Sequence, residues 1–270
     1  MTPNKPVIRR RMEVRRTMTT ILQISDFHLL SRPEGTLKGV PTSESVALVM
    51  QRAREEVADP ACIVLTGDLS HEETVAGYEL LRTHLGDWHE RSLLIPGNHD
   101  DRAKMRQVFD QVPGESAEPI WFRHECDQWV LLGLDSHVPG QVYGVLSEQS
   151  VDRLAEELAR GANRPTLIFL HHHPSAVGSR WVDEIGLRNP ESFASLLTRH
   201  TEVRGLFCGH IHQVFEGMIA DVPFHSAPSA AIQFLPGTET MQFDLQPPGF
   251  RVIELLEGTF TTRVRIPLTL

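Results

Sequence analysis

Five short stretches hold the residues of this 270-residue chain whose types and spacing suit chemistry: Asp26-Phe27-His28, Gly67-Asp68, Gly97-Asn98-His99-Asp100, His171-His172-His173-Pro174 and Gly209-His210-Ile211-His212. The chemistry they suggest is cation binding. In an extended segment, side chains two apart point the same way, so Asp26 and His28 can grip one ion together and His210 and His212 present two imidazoles on one face. By the same alternation His171 and His173 share a side and His172 faces the other. Glycine lets the backbone approach a bound group closely, and Asn98 offers an amide oxygen, a poor ligand except for a hard or borderline cation. Each stretch alone also has a plainer explanation. Asp-x-His arises often by chance, Asp68 can cap the next helix, and Gly97–Asp100 can be a turn with Asp100 as a helix cap. Cys208 has the parity of His210 and His212 but reads as a small buried residue.

The elements that must position these residues are apolar strands, and each stretch follows one. Thr20–Ile24, Cys62–Leu65, Ser92–Ile95, 166–170 and 204–208 are nearly continuous apolar runs, as expected when both faces of a strand are covered. Alternating helices are predicted near 43–58 (capped by Thr42 or Ser43), 72–85, 101–110, from Ser147 onward, and 190–199. Residues 119–136 read as an antiparallel pair, 29–41 as a loop, and the last 50 or so residues as short strands and turns. This alternation predicts α/β layers holding a mixed sheet or two stacked sheets, with ligands where the strands end.

Composition sets the outer bounds. With 40% apolar and 23% charged residues the chain reads as an ordinary soluble globule, and no apolar run approaches the ~18 residues of a membrane helix. Three cysteines without metal or disulfide spacing fit a reducing compartment, so the expected location is the cytoplasm. The net charge of −9 is uneven: Lys5, Arg9, Arg10, Arg11, Arg15 and Arg16 face only Glu13, so the rest is more acidic still. That acidic body argues against a nucleic-acid groove. The expected organisation is a basic, disordered tail over 1–18, with Met12 or Met18 as an alternative start, and one domain over 19–270.

In this order, each at a strand end, the five stretches closely resemble the calcineurin-like metallophosphoesterase superfamily. Leu22-Gln23-Ile24-Ser25-Asp26, His171-His172-His173-Pro174, Leu187-Arg188-Asn189, Cys208–Gln213 and Gln233-Phe234 are similar to the bacterial class III 3',5'-cyclic AMP phosphodiesterases. The resemblance covers roughly residues 20–257.

It implies a four-layer α/β sandwich, two packed mixed sheets flanked by helices. It also implies two divalent ions, Fe or Mn with Zn also fitting: Asp26, His28 and His212 hold the first, Asn98, His171 and His210 the second, and Asp68 bridges both. His171 is the choice from the triple-histidine run and His172 the fallback. The implied activity is hydrolysis of 3',5'-cyclic AMP to 5'-AMP by in-line attack of a hydroxide held between the ions, which lowers a second messenger. His99 is assigned to protonate the leaving alkoxide or hold a phosphoryl oxygen. Substrate contacts fall to His28, Asp68, Asn98, His99 and His212. The loop 29–40, His137, Arg188-Asn189 and Gln233-Phe234 are candidates for the base, and His71 and the histidines outside the motifs read as ordinary ones. The same metals suit another phosphodiester (a 2',3'-cyclic nucleotide, a glycerophosphodiester or a phosphonate ester) or a nuclease, and the fold alone a non-catalytic scaffold. The expected partner is a cyclic nucleotide, with neither membrane nor nucleic acid, and a homodimer is compatible with the resemblance.

Overall fold

The computed structural model describes residues 18–267 apart from 117 and 162, so the basic stretch lies, but for Met18, outside the described residues. The first half runs β1 (Thr19–Ile24), β2 (Thr36–Leu37), β3 (Val40–Pro41), α1 (Thr42–Glu56), β4 (Cys62–Thr66), α2 (Val75–Leu85), β5 (Ser92–Ile95) and α3 (Arg102–Val108). Next come β6 (Phe122–Cys126), β7 (Trp129–Leu134), α4 (Glu148–Arg160), β8 (Thr166–Leu170), α5 (Arg180–Asp183), α6 (Pro190–Leu197) and β9 (Val203–Cys208). The remaining strands are β10 (Glu216–Ile219), β11 (Val222–Ser226), β12 (Gln233–Phe234), β13 (Phe243–Asp244), β14 (Phe250–Leu255) and β15 (Phe260–Arg265).

Two mixed sheets result, in the orders β15-β14-β1-β4-β5 and β10-β11-β9-β8-β7-β6. In the first, β1, β4 and β5 run parallel and β14 and β15 add on through antiparallel pairings. In the second, β11, β9, β8 and β7 run parallel between the antiparallel edges β10 and β6. Strand alternation sorts side chains into three apolar layers. Leu22, Ile24, Ile63 and Leu65 face α1 and α2, meeting Val46, Val49, Tyr78 and Leu81. Ile168, Leu170 and Leu206 face α4 and α6, meeting Leu154, Leu158 and Phe193. The alternate residues Ile21, Val64, Leu167, Phe169 and Phe207 fill the space between the sheets. The order is therefore helix, sheet, sheet, helix, and covering on both faces explains the continuous apolar runs. The buried Gln23 amide donates to Thr66 Oγ1 (3.1 Å) and Cys208 O (2.9 Å), tying one sheet to the other.

Local chemistry departs from expectation in three places. The segment 29–41 contains the β2–β3 hairpin. Helix α1 begins at Thr42 with Pro41, which has no side-chain acceptor, in the cap position, so neither Thr42 nor Ser43 caps it, and Ser43 Oγ meets His84 Nε2 at 2.9 Å. Asp101, not Asp100, caps α3 by accepting from Lys104 N–H at 2.9 Å. Ser147 caps α4, accepting from Ser150 N–H at 3.1 Å.

Candidate active site

Past their last paired residues, the chains leaving β1 and β4 stay side by side. Asp26 N–H donates to Gly67 O (3.1 Å), His28 N–H to Asp68 O (2.9 Å) and His71 N–H to Leu29 O (2.9 Å). The turns are sharp. Asp26, His28, Asp68, His210 and His212 all have φ between 45° and 69°, the left-handed region, which costs a non-glycine residue on the order of 1 kcal/mol. Such strain persists only where surrounding structure enforces it. Gly97 is required by close approach: a Cβ there would lie 2.1 Å from Asp68 Oδ1. The Asp100 carboxylate fastens the two loops, accepting from Gly97 N–H (2.8 Å), Leu69 N–H (3.0 Å), Ser70 N–H (3.2 Å) and Tyr78 O–H (3.1 Å). Burial, and then Asp68 nearby, push its pKa up to about 7.

These turns bring together two groups of acceptor atoms with Asp68 between them. Asp26 Oδ1 lies 3.2 Å from His212 Nε2, which lies 3.1 Å from His28 Nε2, which lies 3.5 Å from Asp68 Oδ2. On the other side, Asp68 Oδ1 lies 3.4 Å from His171 Nε2, itself 3.2 Å from Asn98 Oδ1 and 3.2 Å from His210 Nδ1.

The far ring nitrogens fix the tautomers. His212 Nδ1 donates to Ile232 O (2.7 Å), His171 Nδ1 to Thr66 O (2.7 Å) and His210 Nε2 to Ile185 O (3.0 Å). A carbonyl only accepts, so in the neutral rings the opposite nitrogens are bare and their lone pairs point at one another. Imidazole lone pairs, carboxylate oxygens and an amide oxygen converging on one another fit a cation, and a nitrogen–oxygen set without thiolate fits a borderline divalent ion. Electrostatics agree. Burial opposes charge on His171, yet Asp68 and Asp26 beside it hold its pKa above the ordinary histidine value. Burial instead drives His28 and His210 well below that value.

The calcineurin-like phosphoesterase family matches residues 19–214, over the strands and turns that carry these groups. This chain is a calcineurin-like phosphoesterase. It is 35% identical over 253 residues, 93% of this chain and 94% of the relative, to the 3',5'-cyclic-nucleotide phosphodiesterase of Nostoc sp.. It is 34% identical over 245 residues, 90% of this chain and 88% of the relative, to the 3',5'-cyclic adenosine monophosphate phosphodiesterase CpdA of Escherichia coli K12. Among solved structures, a dimetal phosphatase from Danio rerio superposes with a TM-score of 0.63 at 15% identity, covering 90% of this chain and 98% of that one, which shows the shared fold.

Above the two groups the phosphoesterase opens a cavity of about 400 Å³. Its lining combines the polar His28, Asp68, Asn98, His99, His210 and His212 with the apolar Trp181, Ile185, Ile232, Phe234, Met241 and Phe243. Phe234 stacks on His212 with ring centres 4.2 Å apart and planes at 7°, so the aromatic wall is continuous with the polar floor. His99 donates its backbone N–H to Asp68 Oδ1 (2.9 Å), and its Nδ1 lies 3.3 Å from His71 O, an acceptor, which leaves Nε2 without a partner among the described residues.

Several sequence candidates stand elsewhere in the phosphoesterase. Both ring nitrogens of His172 are engaged, Nδ1 with Ser136 Oγ (2.8 Å) and Nε2 with Val142 O (3.1 Å). The predicted alternation through the triple histidine fails because the strand ends at Leu170, and the rings of His171, His172 and His173 all gather round His210, 4.6–5.8 Å between centres. Gln233 spends its amide on the backbone of Ser229, Asn189 spends its own on Leu146, and Arg188 lies over the Tyr143 ring. His137 lines a different hollow, beside Arg102. From the loop 29–40 only Leu37 and Lys38 reach the cavity lining. Sequence reasoning missed Trp181, Met241 and Phe243 of the lining, and it missed His71, whose Nδ1 lies 3.1 Å from His28 Nδ1. The signal was its place three residues after Asp68, since the paired chain ends carry it alongside His28.

Proposed function

We propose that this phosphoesterase hydrolyses 3',5'-cyclic AMP to 5'-AMP and so ends a second-messenger signal. The observation that carries the reading is the pairing, in one cavity, of a two-part cation-fitting floor with an aromatic wall. The floor suits a phosphodiester and the wall a flat base. The relatives' names, over nearly the whole chain, point to the same substrate.

In this reading Asp26, His28 and His212 hold one divalent ion, Asn98, His171 and His210 a second, and Asp68 serves both; iron or manganese is the assignment, and zinc also fits the donor set. When bound, such a pair supplies Lewis acidity toward phosphoryl oxygens and lowers the pKa of water. The residues do the rest. In its imidazolium form His99 gives its Nε2 proton to the 3' oxygen as the P–O3' bond breaks, while the oxygen from water stays on phosphorus as part of the 5'-phosphate and the proton that this water releases restores His99. Asn98 and His99 hold the phosphoryl group in line, with His28, Asp68 and His212 beneath it. Phe234, Trp181 and Phe243 take the base and exclude water from it. Lys38, the one Lys or Arg among the described residues lining the cavity, offsets the charge of the anion. No helix among the described residues is long and apolar enough to cross a membrane. The three buried free cysteines suit the reducing cytoplasm.

Turnover of 3',5'-cyclic AMP, 2',3'-cyclic AMP and an aryl phosphodiester, measured by chromatography with Mn, Fe and Zn in turn, tests this. The expected result is 5'-AMP as product with the highest kcat/KM on the 3',5'-cyclic substrate. Turnover of the aryl diester with none of cyclic AMP would overturn the substrate assignment.

A further inference from the structure

The four imidazoles facing the two groups of acceptors are not held alike. His171, His210 and His212 rest their far nitrogens on backbone carbonyls, which can only accept. His28 is the exception: its Nδ1 meets the Nδ1 of another imidazole, His71, at 3.1 Å. That partner can either donate or accept, so the geometry of His28 leaves open which of its nitrogens is bare. If His71 Nδ1 donates, the proton of neutral His28 sits on Nε2, between His212 Nε2 and Asp68, and fills the place of a cation. If His71 Nδ1 accepts, His28 carries its proton on Nδ1 and turns a bare Nε2 toward Asp26, Asp68 and His212.

We propose that His71 is a positioning residue whose Nδ1 lone pair accepts the Nδ1–H of His28 and thereby keeps His28 Nε2 open to the first ion. This rests on the reading that Asp26, His28, Asp68 and His212 hold a cation. The surroundings hold His71 in place for the task. Its N–H is fixed to Leu29 O (2.9 Å), its carbonyl lies 3.3 Å from His99 Nδ1, and its ring stacks on His99 with centres 4.7 Å apart and planes at 23°. It is half-buried at the cavity wall, so its other nitrogen needs no protein partner. Partners that orient a metal-binding histidine through its second nitrogen are a general feature of such sites. Here that partner is a side chain that substitution can change, whereas the other three are carbonyls that it cannot.

The test compares His71→Gln, whose amide oxygen still accepts, with His71→Leu, which fills similar space and accepts nothing. Mn binding to the metal-stripped full chain is followed by calorimetry and by metal content after dialysis, and thermal melting confirms that each variant is folded. The wild type should take up two ions. His71→Leu should weaken one of the two by roughly 10–100-fold and leave the other unchanged, while His71→Gln stays within about 3-fold of wild type. A purely space-filling role for His71 predicts the reverse order. Equal isotherms for Leu and wild type, or a loss in Gln as large as in Leu, overturn the proposal. His71→Ala repeats the comparison if Leu fails to fold. A wild type that takes up no Mn overturns the cation reading itself, which is a distinct result.

Discussion

His99 stands one residue beyond Asn98, with its backbone bound to Asp68 and its Nε2 without a partner among the described residues, so its ring can serve chemistry without serving as a ligand. Removing the ring should therefore separate turnover from metal binding. His99→Ala is expected to lower kcat on cyclic AMP by about 10²–10⁴-fold, the usual contribution of a positioned acid, and to keep Mn stoichiometry at the wild-type value. Steady-state rates beside metal analysis of the same sample check this, and unchanged kcat would remove His99 from the reaction. The neighbouring aspartates show how much one position matters at this scale. Asp101 caps a helix through Lys104 N–H, while Asp100 gathers donors from both loops. From sequence the two carboxylates are interchangeable as caps. Only the fold, which sets Leu69 and Ser70 against Asp100, tells them apart.

At the scale of elements, what was legible is what short-range periodicity encodes. Strands β1, β4, β8 and β9 were readable because both faces are covered, and their ends marked the site because the chain must turn there. The β2–β3 hairpin was not readable, since two-residue strands carry no period. The His71 contact was hidden because it depends on β1 and β4 lying side by side, a pairing of residues 43 apart in sequence. The β12–β13 hairpin is another non-local product: it brings Phe234 and Phe243 together, ring centres 5.9 Å apart, beside Trp181. If this wall takes the base, Phe243→Ala should raise KM for cyclic AMP about 10-fold, in line with roughly 1–3 kcal/mol for stacking on an aromatic side chain, with little change in kcat. KM for a small alkyl phosphodiester, which has no ring to stack, should hardly move; equal effects on both would show a general loss of shape.

A second junction of elements lies far from the cavity. Glu56, at the end of α1, meets Arg265 (2.7 Å) and Arg263 (3.4 Å) of β15 and Arg52 (3.0 Å) of its own helix. The hydrogen bond from Arg265, more than any other influence, holds the Glu56 carboxyl below the usual glutamate range. A depressed carboxyl pKa means the unfolded chain takes up a proton first as pH falls. The stabilisation is therefore complete above about pH 5 and fades through and below about pH 4. Glu56→Gln should cost about 0.5–1 kcal/mol at pH 7, a modest figure because the cluster is solvent-screened. Urea titrations of both proteins at pH 7 and pH 3.5 should show the gap narrowing at the acid end; a gap that widens there would contradict the sign.

For the whole molecule, the decisive fact is that the residues proposed to hold the ions come from both sheets. Asp26, His28, Asp68 and Asn98 follow β1, β4 and β5 of one sheet, while His171, His210 and His212 follow β8 and β9 of the other. Within each group at least one donor belongs to each sheet, so an ion held by either group clamps the sandwich at its open end. The apolar layer between the sheets and the Gln23 bonds hold the two together without it. Metal should therefore add stability to a protein that is already folded. Binding to the native state alone contributes RT ln(1 + [L]/Kd), about 2.7 kcal/mol for one ion at a hundred times its Kd. At roughly 2–4 °C per kcal/mol for a domain of this size, saturating Mn should raise Tm by about 5–10 °C over chelator-treated protein. Asp68→Asn keeps an oxygen for the His99 N–H but removes the charge shared by both groups, so it should melt near the metal-free wild type and lose most of the Mn-dependent rise. Calorimetric scans of both proteins with Mn and with chelator check this. A wild-type Tm indifferent to Mn would mean that the two sheets do not close on a cation.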